Sequence, residues 1–174
     1  TIELRVACFG LRIFSTRNPE RETRNLFNAM RIGFGYDVHR LVSGRKLILG
    51  GVPIPHEKGL EGHSDADVLL HALCDGILGA MGEGDIGKHF PNTDPRFRGI
   101  SSLELLKSVA MMMSRKKWSV ENLDTTVVAE QPMIGPFIPQ MAEKIAGVLK
   151  IPAGKINIKA TTSEGMGFIG EKKG

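Results

Sequence analysis

Apolar and polar residues alternate along the chain with two periods, one typical of strands and the other typical of helices. Strands are predicted over residues 31–36, 46–54, 122–129 and 155–162, the second with a bend at Gly50-Gly51. Helices are predicted over residues 64–81 and 101–117, and from Pro136 and Pro139 through Leu149. The order strand, strand, helix, helix, strand, helix, strand predicts one α+β domain with helices covering one face of a mixed sheet.

The ends and inner faces of these helices follow from the same pattern. Ser64 or Asp65 is placed to cap the first helix, and Ser101 with Glu104 forms a capping-box pattern at the start of the second. Glycines and prolines between these two helices mark a long polar loop, and such loops are often functional. Helical spacing predicts the core-facing residues Val68, Leu69, Ala72, Leu73 and Leu78, then Leu103, Leu106, Val109 and Met113, then Ile138, Met141, Ala142, Ile145 and Leu149.

The composition is that of an ordinary globular domain. The 174 residues are enough for one domain with a core, and 41% are hydrophobic against 24% charged. No apolar run approaches the roughly 18–20 residues that a membrane span needs, so we expect no membrane partner. Cys8 and Cys74 are far apart and form no disulfide or metal pattern, which favours a reducing compartment.

The net charge of +4 is unevenly distributed. Residues 1–29 contain five Arg and three Glu, whereas the rest of the chain has 18 basic and 16 acidic residues and is nearly neutral. The sequence has no long basic stripe and few aromatic residues to stack on bases, so it does not favour nucleic acid as a partner.

Residues 1–29 also lack the clean hydrophobic period of the rest of the chain. Because Met30 directly precedes the first predicted strand, we expect residues 30–174 to form the domain. Residues 1–29 are then vector-derived or translated upstream sequence. An Arg-rich transit peptide is the alternative, although the segment has one Ser and three acidic residues. A bacterial cytoplasmic location is accordingly expected ahead of a plastid one.

Asp37 and His39 stand two residues apart at the end of a predicted strand, so their side chains point to the same side. His71 lies in the middle of the first predicted helix, among apolar neighbours. These three residue types could together hold one zinc ion, since catalytic zinc sites commonly use three protein ligands and leave a fourth position open. The alternative is a polar strand end and a histidine packed in the core.

The residues just before the first helix form a second set of candidates. Backbone N–H groups at a helix N-terminus attract anions such as phosphate. His63 contributes little to capping and is therefore the better functional candidate, whereas Ser64 and Asp65 are equally explained as caps. Asp67, one turn before His71, could orient that ring or could be a solvated acid of the first turn.

Two further polar stretches could contact a ligand. Asp85-Ile86-Gly87 and Phe90–Asp94 lie in the polar loop, where glycine allows close backbone approach, and an ordinary surface loop is the alternative. The segment ATTSEG, residues 160–165, offers three hydroxyl groups to phosphate oxygens, with Glu164 as an oxygen ligand for Mg²⁺. A polar turn explains this segment equally well.

Four stretches, GFGYDVHR, EGHSDADVLLHALCDGILGAMGEGDIGKHFPNTD, AEQPMIGPFIPQM and NIKATTSEGMGF, closely resemble the 2-C-methyl-D-erythritol 2,4-cyclodiphosphate synthase family in order and spacing. The resemblance runs from Arg31 to Phe168 and outweighs the structural alternatives for Asp37, His39 and His71. It implies cyclisation of 4-diphosphocytidyl-2-C-methyl-D-erythritol 2-phosphate, in which the 2-phosphate attacks the β-phosphorus and CMP leaves. This reaction is a step of non-mevalonate isoprenoid biosynthesis.

The resemblance also implies an assembly and two metal ions. The family forms homotrimers whose sheets face the three-fold axis, with active sites between adjacent subunits. Asp37, His39 and His71 would hold Zn²⁺. Glu164 would hold Mg²⁺ or Mn²⁺ together with the diphosphate of the substrate.

Roles of other residues are implied by the same resemblance. His63 and Thr162 correspond to family groups that stabilise the transition state, and Ser64, Asp85 and Gly87 to groups that position the methylerythritol phosphate. The loop at 90–94 would close on that portion, and residues 129–135 with Thr161 would form the cytidine pocket. The implied substrate contacts are Asp37, Val38, His39, His63, Ser64, Asp85, Ile86, Gly87, Phe90, Pro91, Asn92, Thr93, Asp94, Ala129, Glu130, Gln131, Pro132, Met133, Ile134, Gly135, Thr161, Thr162, Ser163, Glu164, Phe168 and Glu171.

The chain departs from the family pattern in three places. Met133 stands where members often have Lys, and Glu171 where they commonly have Arg, so two cationic groups near the nucleotide and the diphosphate are missing. Lys172 or Lys173 could supply the second. Relatives continue beyond the position of Gly174 through a Gly-rich turn into a final apolar strand, so we expect one sheet edge to lack its partner.

Two other functions stay open at this point. A zinc phosphohydrolase with a metal-bound water as nucleophile would release linear phosphates from the same substrate. A non-catalytic trimer that senses isoprenoid diphosphates would bind its ligand without releasing CMP, and Glu171 in place of Arg disfavours it.

Overall fold

The computed structural model describes residues 2–15 by their backbone and residues 30–167 with their side chains. The strands are β1 (Ile2–Ser15), β2 (Met30–Ser43), β3 (Leu47–Leu49), β4 (Val52–Ile54), β5 (Lys58–Leu60), β6 (Trp118–Val128) and β7 (Ile156–Thr161). The helices are α1 (Val68–Met81), α2 (Ile86–His89), α3 (Ser102–Arg115) and α4 (Ile138–Leu149), with 3₁₀ turns at Pro95–Phe97, Gly135–Phe137 and Ala153–Lys155. Phe168 and Glu171, two of the predicted substrate contacts, lie outside the described residues.

Five strands form one sheet in the order β5-β2-β1-β6-β7, and β3 pairs with β4 in a separate hairpin. β6 and β7 are parallel and are connected through α4, whereas the other neighbours in the large sheet are antiparallel. The structure thus confirms a single domain that combines helices with a mixed sheet. β1 lies in the middle of this sheet, and the sequence predicts no strand there because residues 1–29 lack a clean alternation.

Strand β2 continues to Ser43, beyond the end at residue 36 that the sequence predicts. Asp37 and His39 therefore lie inside a strand and not at its terminus. Glycines on the same side of β2 allow α1 to pack directly on its backbone. On the opposite side β2 exposes an apolar row made up of Met30, Ile32, Phe34, Tyr36 and Val38.

The predicted bend at Gly50-Gly51 is a turn that joins two separate strands, β3 and β4. Both glycines have positive φ, 57° and 73°, which the turn requires and which favours glycine. Asp67 is completely buried and fixes this turn, because its two carboxylate oxygens accept hydrogen bonds from the N–H groups of Gly50 (2.9 Å) and Gly51 (2.6 Å). It also caps α1 by accepting from Leu70 N–H at 3.2 Å.

This arrangement corrects two predictions. The N-cap of α1 is Asp67, whereas Ser64 or Asp65 was expected, and the helix begins at Val68. The Asp67 carboxylate is buried and accepts from Gly50, Gly51 and Leu70. Only the Asp67 carbonyl contacts His71, by accepting from its backbone N–H at 3.0 Å, so the expected roles of ring partner and solvated acid are both wrong. Burial raises the pKa of Asp67 to about 6. The nearby charge of Asp65 also raises this pKa, and the hydrogen bonds from the three backbone N–H groups lower it.

The longer helices follow the predicted pattern closely. α3 is capped by Ser101, whose side chain accepts from Leu103 N–H, and its buried face contains Leu105, Leu106, Val109 and Met113. Leu105 thus takes the place predicted for Leu103, which is only partly buried. In α4 the predicted face is buried except Ile138, which is partly buried. Among the described residues, no helix has the length and apolar character needed to cross a membrane.

Candidate metal and substrate site

Asp37, His39 and His71 meet where β2 packs against α1. Asp37 Oδ2 lies 3.0 Å from His39 Nε2 and 3.1 Å from His71 Nδ1, and the two nitrogens lie 3.1 Å apart. The close approach of the strand and the helix brings the three ligand atoms together, because His71 on α1 is 32 positions from His39 and 34 from Asp37 on β2. Among the described residues these three form the only group with the composition and spacing of a metal site.

The donor set fits a zinc ion. Ligand atoms bound at about 2.0–2.1 Å to a tetrahedral zinc ion stand about 3.3 Å apart, close to the spacing of this triangle. One carboxylate with two imidazoles is a ligand combination that zinc uses in catalytic sites. The predicted metal ligands Asp37, His39 and His71 are therefore brought together as a three-ligand site.

The carboxylate of Asp37 is held in one orientation. Its Oδ1 accepts a hydrogen bond from Val38 N–H at 2.8 Å, which leaves Oδ2 to face the two histidines. Burial opposes ionisation of Asp37, but hydrogen bonds and charge from His39 and His71 outweigh it and hold its pKa well below the usual range. Asp37 is thus an anion at neutral pH, as a metal ligand must be.

A pocket of about 230 Å³ opens beside the triad. Many predicted site residues line it, namely Asp37, His39, His63, Ser64, His71, Ile86, Gly87, Phe90 and Asn92. Asp75, one helical turn after His71, also lines it and was missed by the sequence reasoning. Its Oδ1 accepts from Ile86 N–H at 2.7 Å, so it holds the start of α2 against α1. Burial raises the pKa of Asp75.

His63 stands at the rim of this pocket with its backbone held on both sides. Arg45 donates from Nη1 to the carbonyl of Gly62 (2.9 Å) and from Nη2 to that of Ser64 (2.7 Å). The Nε2 atom of His63 is buried without a hydrogen-bond partner among the described residues. His63 therefore brings a buried ring nitrogen without a hydrogen-bond partner to the wall of the pocket, and such a group calls for a role.

The polar loop after α1 is more regular than the sequence suggests. Asp85 caps α2 by accepting from Lys88 N–H at 2.9 Å, and Asp94 caps the following 3₁₀ turn. The carboxylate of Asp94 also forms an ion pair with Arg96 at 2.6 Å. Phe90 and Asn92 point into the pocket, whereas the predicted contacts Asp85, Pro91, Thr93 and Asp94 do not line it.

A second pocket, of about 560 Å³, lies at the ends of β6 and β7. It is lined by the whole predicted cytidine segment, residues 129–135, with Ile138, Ala160, Thr161 and Thr162. Met133, the residue at the first family departure, is highly exposed here. The first and second pockets have no lining residue in common, so one protomer does not join them.

The turn after β7 is tied to the cytidine segment by Glu130. Its Oε1 accepts from both the N–H (2.7 Å) and the hydroxyl (2.6 Å) of Ser163. Thr162 Oγ1 donates to Glu164 Oε1 at 3.0 Å and accepts from Glu164 N–H at 3.2 Å. Glu164 is exposed and has a φ of +54°, so its carboxylate is presented by a tight left-handed turn.

Comparison with known proteins identifies the family of the chain. The model of the YgbB family matches residues 30–174. The 2-C-methyl-D-erythritol 2,4-cyclodiphosphate synthase of Geotalea uraniireducens is 61% identical over 145 residues, which are 83% of this chain and 92% of that protein.

Solved structures of similar proteins share the fold. The bifunctional IspDF of Campylobacter jejuni is 43% identical, with a TM-score of 0.78 over 82% of this chain and 39% of that one. A CDP-bound form of a 2C-methyl-D-erythritol-2,4-cyclodiphosphate synthase is 37% identical, with a TM-score of 0.74 over 78% of this chain and 91% of that one. The sequence motifs and the metal triad of the present chain agree with these matches. The chain belongs to the YgbB family, that of the 2-C-methyl-D-erythritol 2,4-cyclodiphosphate synthases.

Proposed function

We propose that this chain is a CMP-releasing phosphorus–oxygen lyase of non-mevalonate isoprenoid biosynthesis, acting on 4-diphosphocytidyl-2-C-methyl-D-erythritol 2-phosphate. The observation that carries the proposal is the triangle of Asp37, His39 and His71 ligand atoms at 3.0–3.1 Å spacing beside a pocket. An oxygen of the 2-phosphate forms a bond to the β-phosphorus, the bond from that phosphorus to the oxygen bridging to CMP breaks, and CMP leaves with the electron pair. The product is the cyclic 2,4-diphosphate.

The reaction needs charge neutralisation and alignment more than proton transfer. The attacking phosphate is already an anion at neutral pH, so no general base is required to activate it. Because nucleophile and electrophile belong to one molecule, a site that folds the substrate into the reactive shape supplies much of the rate. The side chains at the pocket therefore act chiefly by positioning anionic oxygens.

Two divalent cations would serve this purpose. Asp37, His39 and His71 would hold Zn²⁺, and Glu164 would hold Mg²⁺ or Mn²⁺ together with the substrate diphosphate. When bound, such ions act as Lewis acids that offset negative charge and as templates that fix the geometry of phosphate oxygens.

The residues around the triad would bind the methylerythritol portion. His63 would stabilise the transition state, and its place in the pocket wall with an unpartnered Nε2 supports this role. Ser64 and Gly87 would position the methylerythritol phosphate. Asp85, which caps α2 outside the pocket lining, and Asp75, through its bond to Ile86 N–H, would keep Ile86 and Gly87 in place. Phe90, Asn92 and the rest of the loop at 90–94 would close over the substrate.

The second pocket would take the cytidine. A related synthase has been solved with CDP bound. Here the backbone of residues 129–135 and Thr161 would read the base and ribose, with Thr162 beside the diphosphate. Met133 leaves this pocket without a cationic side chain at that position, so recognition would rest mainly on backbone groups.

We infer a homotrimer with sheets facing its axis, because a protomer holds two half-sites that do not join. The apolar row of β2 supports an assembly through the sheet, since Ile32 is 66% and Phe34 58% exposed on the side away from α1. Two adjacent subunits that each supply one of the two pockets would complete a site. The three-fold symmetry follows the family.

Phosphorus NMR of the purified chain with substrate, Zn²⁺ and Mg²⁺ tests the reaction. We expect CMP and the cyclic diphosphate to appear together and a chelator to stop both. Linear phosphates would indicate a zinc phosphohydrolase, and ligand binding without CMP release would indicate a binding module. Either result would contradict the proposed function.

Mixing two inactive variants tests the shared site. His71→Gln removes a ligand of the first pocket and Glu164→Gln removes the carboxylate beside the second. Refolded together, the two should regain activity at about a quarter of the sites if adjacent subunits each supply one pocket. Each variant alone should stay inactive, and an inactive mixture of well-folded subunits would contradict a site built between subunits.

A further inference from the structure

The ring of His71 is held from behind as well as at its ligand atom. Nδ1 faces Asp37 and His39, while Nε2 on the opposite side lies 3.0 Å from Ser102 Oγ. Ser102 is completely buried at the first position of α3, 31 residues away in the sequence. Neither the metal motif nor the capping pattern points to this contact.

The direction of the Ser102 hydroxyl is fixed by Asp65. Ser102 Oγ lies 2.5 Å from Asp65 Oδ1, and Ser102 N–H donates to Asp65 Oδ2 at 3.0 Å. A carboxylate can only accept, so the hydroxyl proton of Ser102 goes to Asp65. The lone pairs of Ser102 Oγ then face His71, and Nε2 has to be the donor.

We propose that Asp65 and Ser102 are positioning residues that set the tautomer and the orientation of His71 for metal binding. With its proton on Nε2, the ring keeps the Nδ1 lone pair for the ion. A second partner of this kind orients a metal-binding histidine and raises its basicity as a ligand. The inference rests on the proposed metal centre and adds the residues that prepare one of its ligands.

The neighbouring hydroxyl is consistent with this proton arrangement. Ser64 Oγ lies 3.1 Å from His71 Nε2 and accepts from Ala66 N–H at 3.0 Å. It lies 3.4 Å from Ser102 Oγ, to which its own proton can be donated. Every donor around Nε2 then has an acceptor.

The backbone around Asp65 and Ser102 explains why the pair is rigid. Asp65 N–H donates to the carbonyl of Ile100 at 3.0 Å, and Gly99 N–H donates to the carbonyl of His63 at 2.9 Å. These two bonds fasten the segment before α1 to the segment before α3. The Asp65 carboxylate is thereby kept at the start of α3 independently of any metal ion.

Zinc affinity of the full chain is the first readout, measured by competition with a chromophoric chelator. Ser102→Ala should bind Zn²⁺ about 10- to 100-fold more weakly than the parent, as loss of such a partner typically does. Ser108→Ala is the matched control, since Ser108 lies on the same helix and its hydroxyl donates only to the carbonyl of Glu104. We expect the control to bind like the parent.

The coordinating nitrogen of His71 is the second readout, from long-range ¹H–¹⁵N correlation of the zinc-loaded chain, assigned by comparison with His71→Gln. We expect zinc on Nδ1 and a slowly exchanging Nε2–H in the parent, and a faster-exchanging Nε2–H in Ser102→Ala. A merely structural role for Ser102 would leave this exchange unchanged.

The two readouts separate the possible failures. A parent that binds no zinc contradicts the proposed metal centre, whereas a parent that binds zinc no better than Ser102→Ala overturns this inference. If Ser102→Ala does not fold, the parent alone decides, because a zinc-loaded parent whose His71 carries its proton on Nδ1 is incompatible with the arrangement described.

Discussion

Gly35 on β2 lies directly against the backbone of Ala72 on α1, so closely that a Cβ at residue 35 would stand 1.8 Å from the Ala72 carbonyl oxygen. Gly33 faces Gly76 in the same way, with 1.9 Å between the added Cβ and the carbonyl oxygen. This approach, which only glycine allows, sets the distance between Asp37 on the strand and His71 on the helix.

We therefore expect Gly35→Ala to push α1 away from β2. The free energy of unfolding should fall by about 1–3 kcal/mol or more from overpacking, and zinc affinity should fall with it because His71 precedes Ala72. Urea unfolding and chelator competition measure the two effects. Gly147→Ala is the control, since nothing lies within 4 Å of its added Cβ and alanine favours a helix interior by about 0.5–1 kcal/mol. Zinc binding by Gly35→Ala at the parental affinity would contradict this account.

The buried carboxylate of Asp67 predicts a pH dependence of stability. Its pKa of about 6 in the folded chain lies above the ordinary value of 3.8, so the folded state holds a proton that the unfolded state has lost. Since one pKa unit corresponds to about 1.4 kcal/mol, the free energy of unfolding should fall by at most about 3 kcal/mol as the pH rises from 4 to 7.

Asp67→Asn isolates this contribution. The amide oxygen can keep the bonds from Gly50 and Leu70, while the contact with Gly51 N–H is lost. We therefore expect the variant to have a lower free energy of unfolding, without the pH dependence that the carboxyl group causes. Denaturation of both proteins between pH 4 and 7.5 gives the difference in stability. A difference that stays constant over this range would show that Asp67 does not titrate there.

The apolar row of β2 predicts an effect on assembly without an effect on the metal site. Ile32→Glu places a charge on the side away from α1, so the proposed trimer should dissociate while zinc is still bound by the folded subunits. Sedimentation velocity measures the assembly, and chelator competition measures zinc binding. Met111→Glu, an exposed apolar residue on α3, should leave the assembly intact. An unchanged sedimentation coefficient for Ile32→Glu would place the interface elsewhere.

Glu130 should matter for nucleotide binding because it holds the turn after β7 against the cytidine segment. Glu130→Ala removes the acceptor for both donors of Ser163 and should raise the Kd for CDP about 3- to 10-fold, in line with one or two hydrogen bonds. Calorimetric titration measures the change. Glu143→Ala on the exposed side of α4 serves as the control, and zinc affinity should stay the same in both variants. CDP binding by Glu130→Ala with the Kd of the parent would show that this turn does not contribute to nucleotide binding.

The features that the sequence predicts best are those that depend only on the local spacing of hydrophobic residues. The faces of α3 and α4 and the Ser101 cap are confirmed, because a helix buries side chains at fixed intervals whatever it packs against. The metal ligands were identified because a polar pair two residues apart and a histidine among apolar neighbours are unusual in such elements. The Gly50-Gly51 turn was wrongly assigned as a bend because two three-residue strands are too short to show separate periods.

The residues that support the site could not be predicted in the same way. Asp67, Asp75 and Ser102 look like ordinary polar residues of helix ends or helix surfaces in a linear sequence. Their partners, the amides of the β3–β4 turn and of Ile86 and the ring of His71, are 11 to 31 residues away. Such contacts depend on how whole elements approach each other, and a hydrophobic period contains no information about that approach.

The two faces of strand β2 have different chemistry. Odd-numbered residues from Gly33 to His39 face α1 and end in two metal ligands, while even-numbered residues from Met30 to Val38 form the exposed apolar row. Substitutions can therefore change either surface separately. Inserting or deleting a single residue early in the strand would exchange the two sets, turning imidazole and carboxylate outwards and aromatic rings towards the helix. A substitution in β2 therefore alters either the proposed metal site or the proposed association surface, whereas a one-residue change of register would remove both at once.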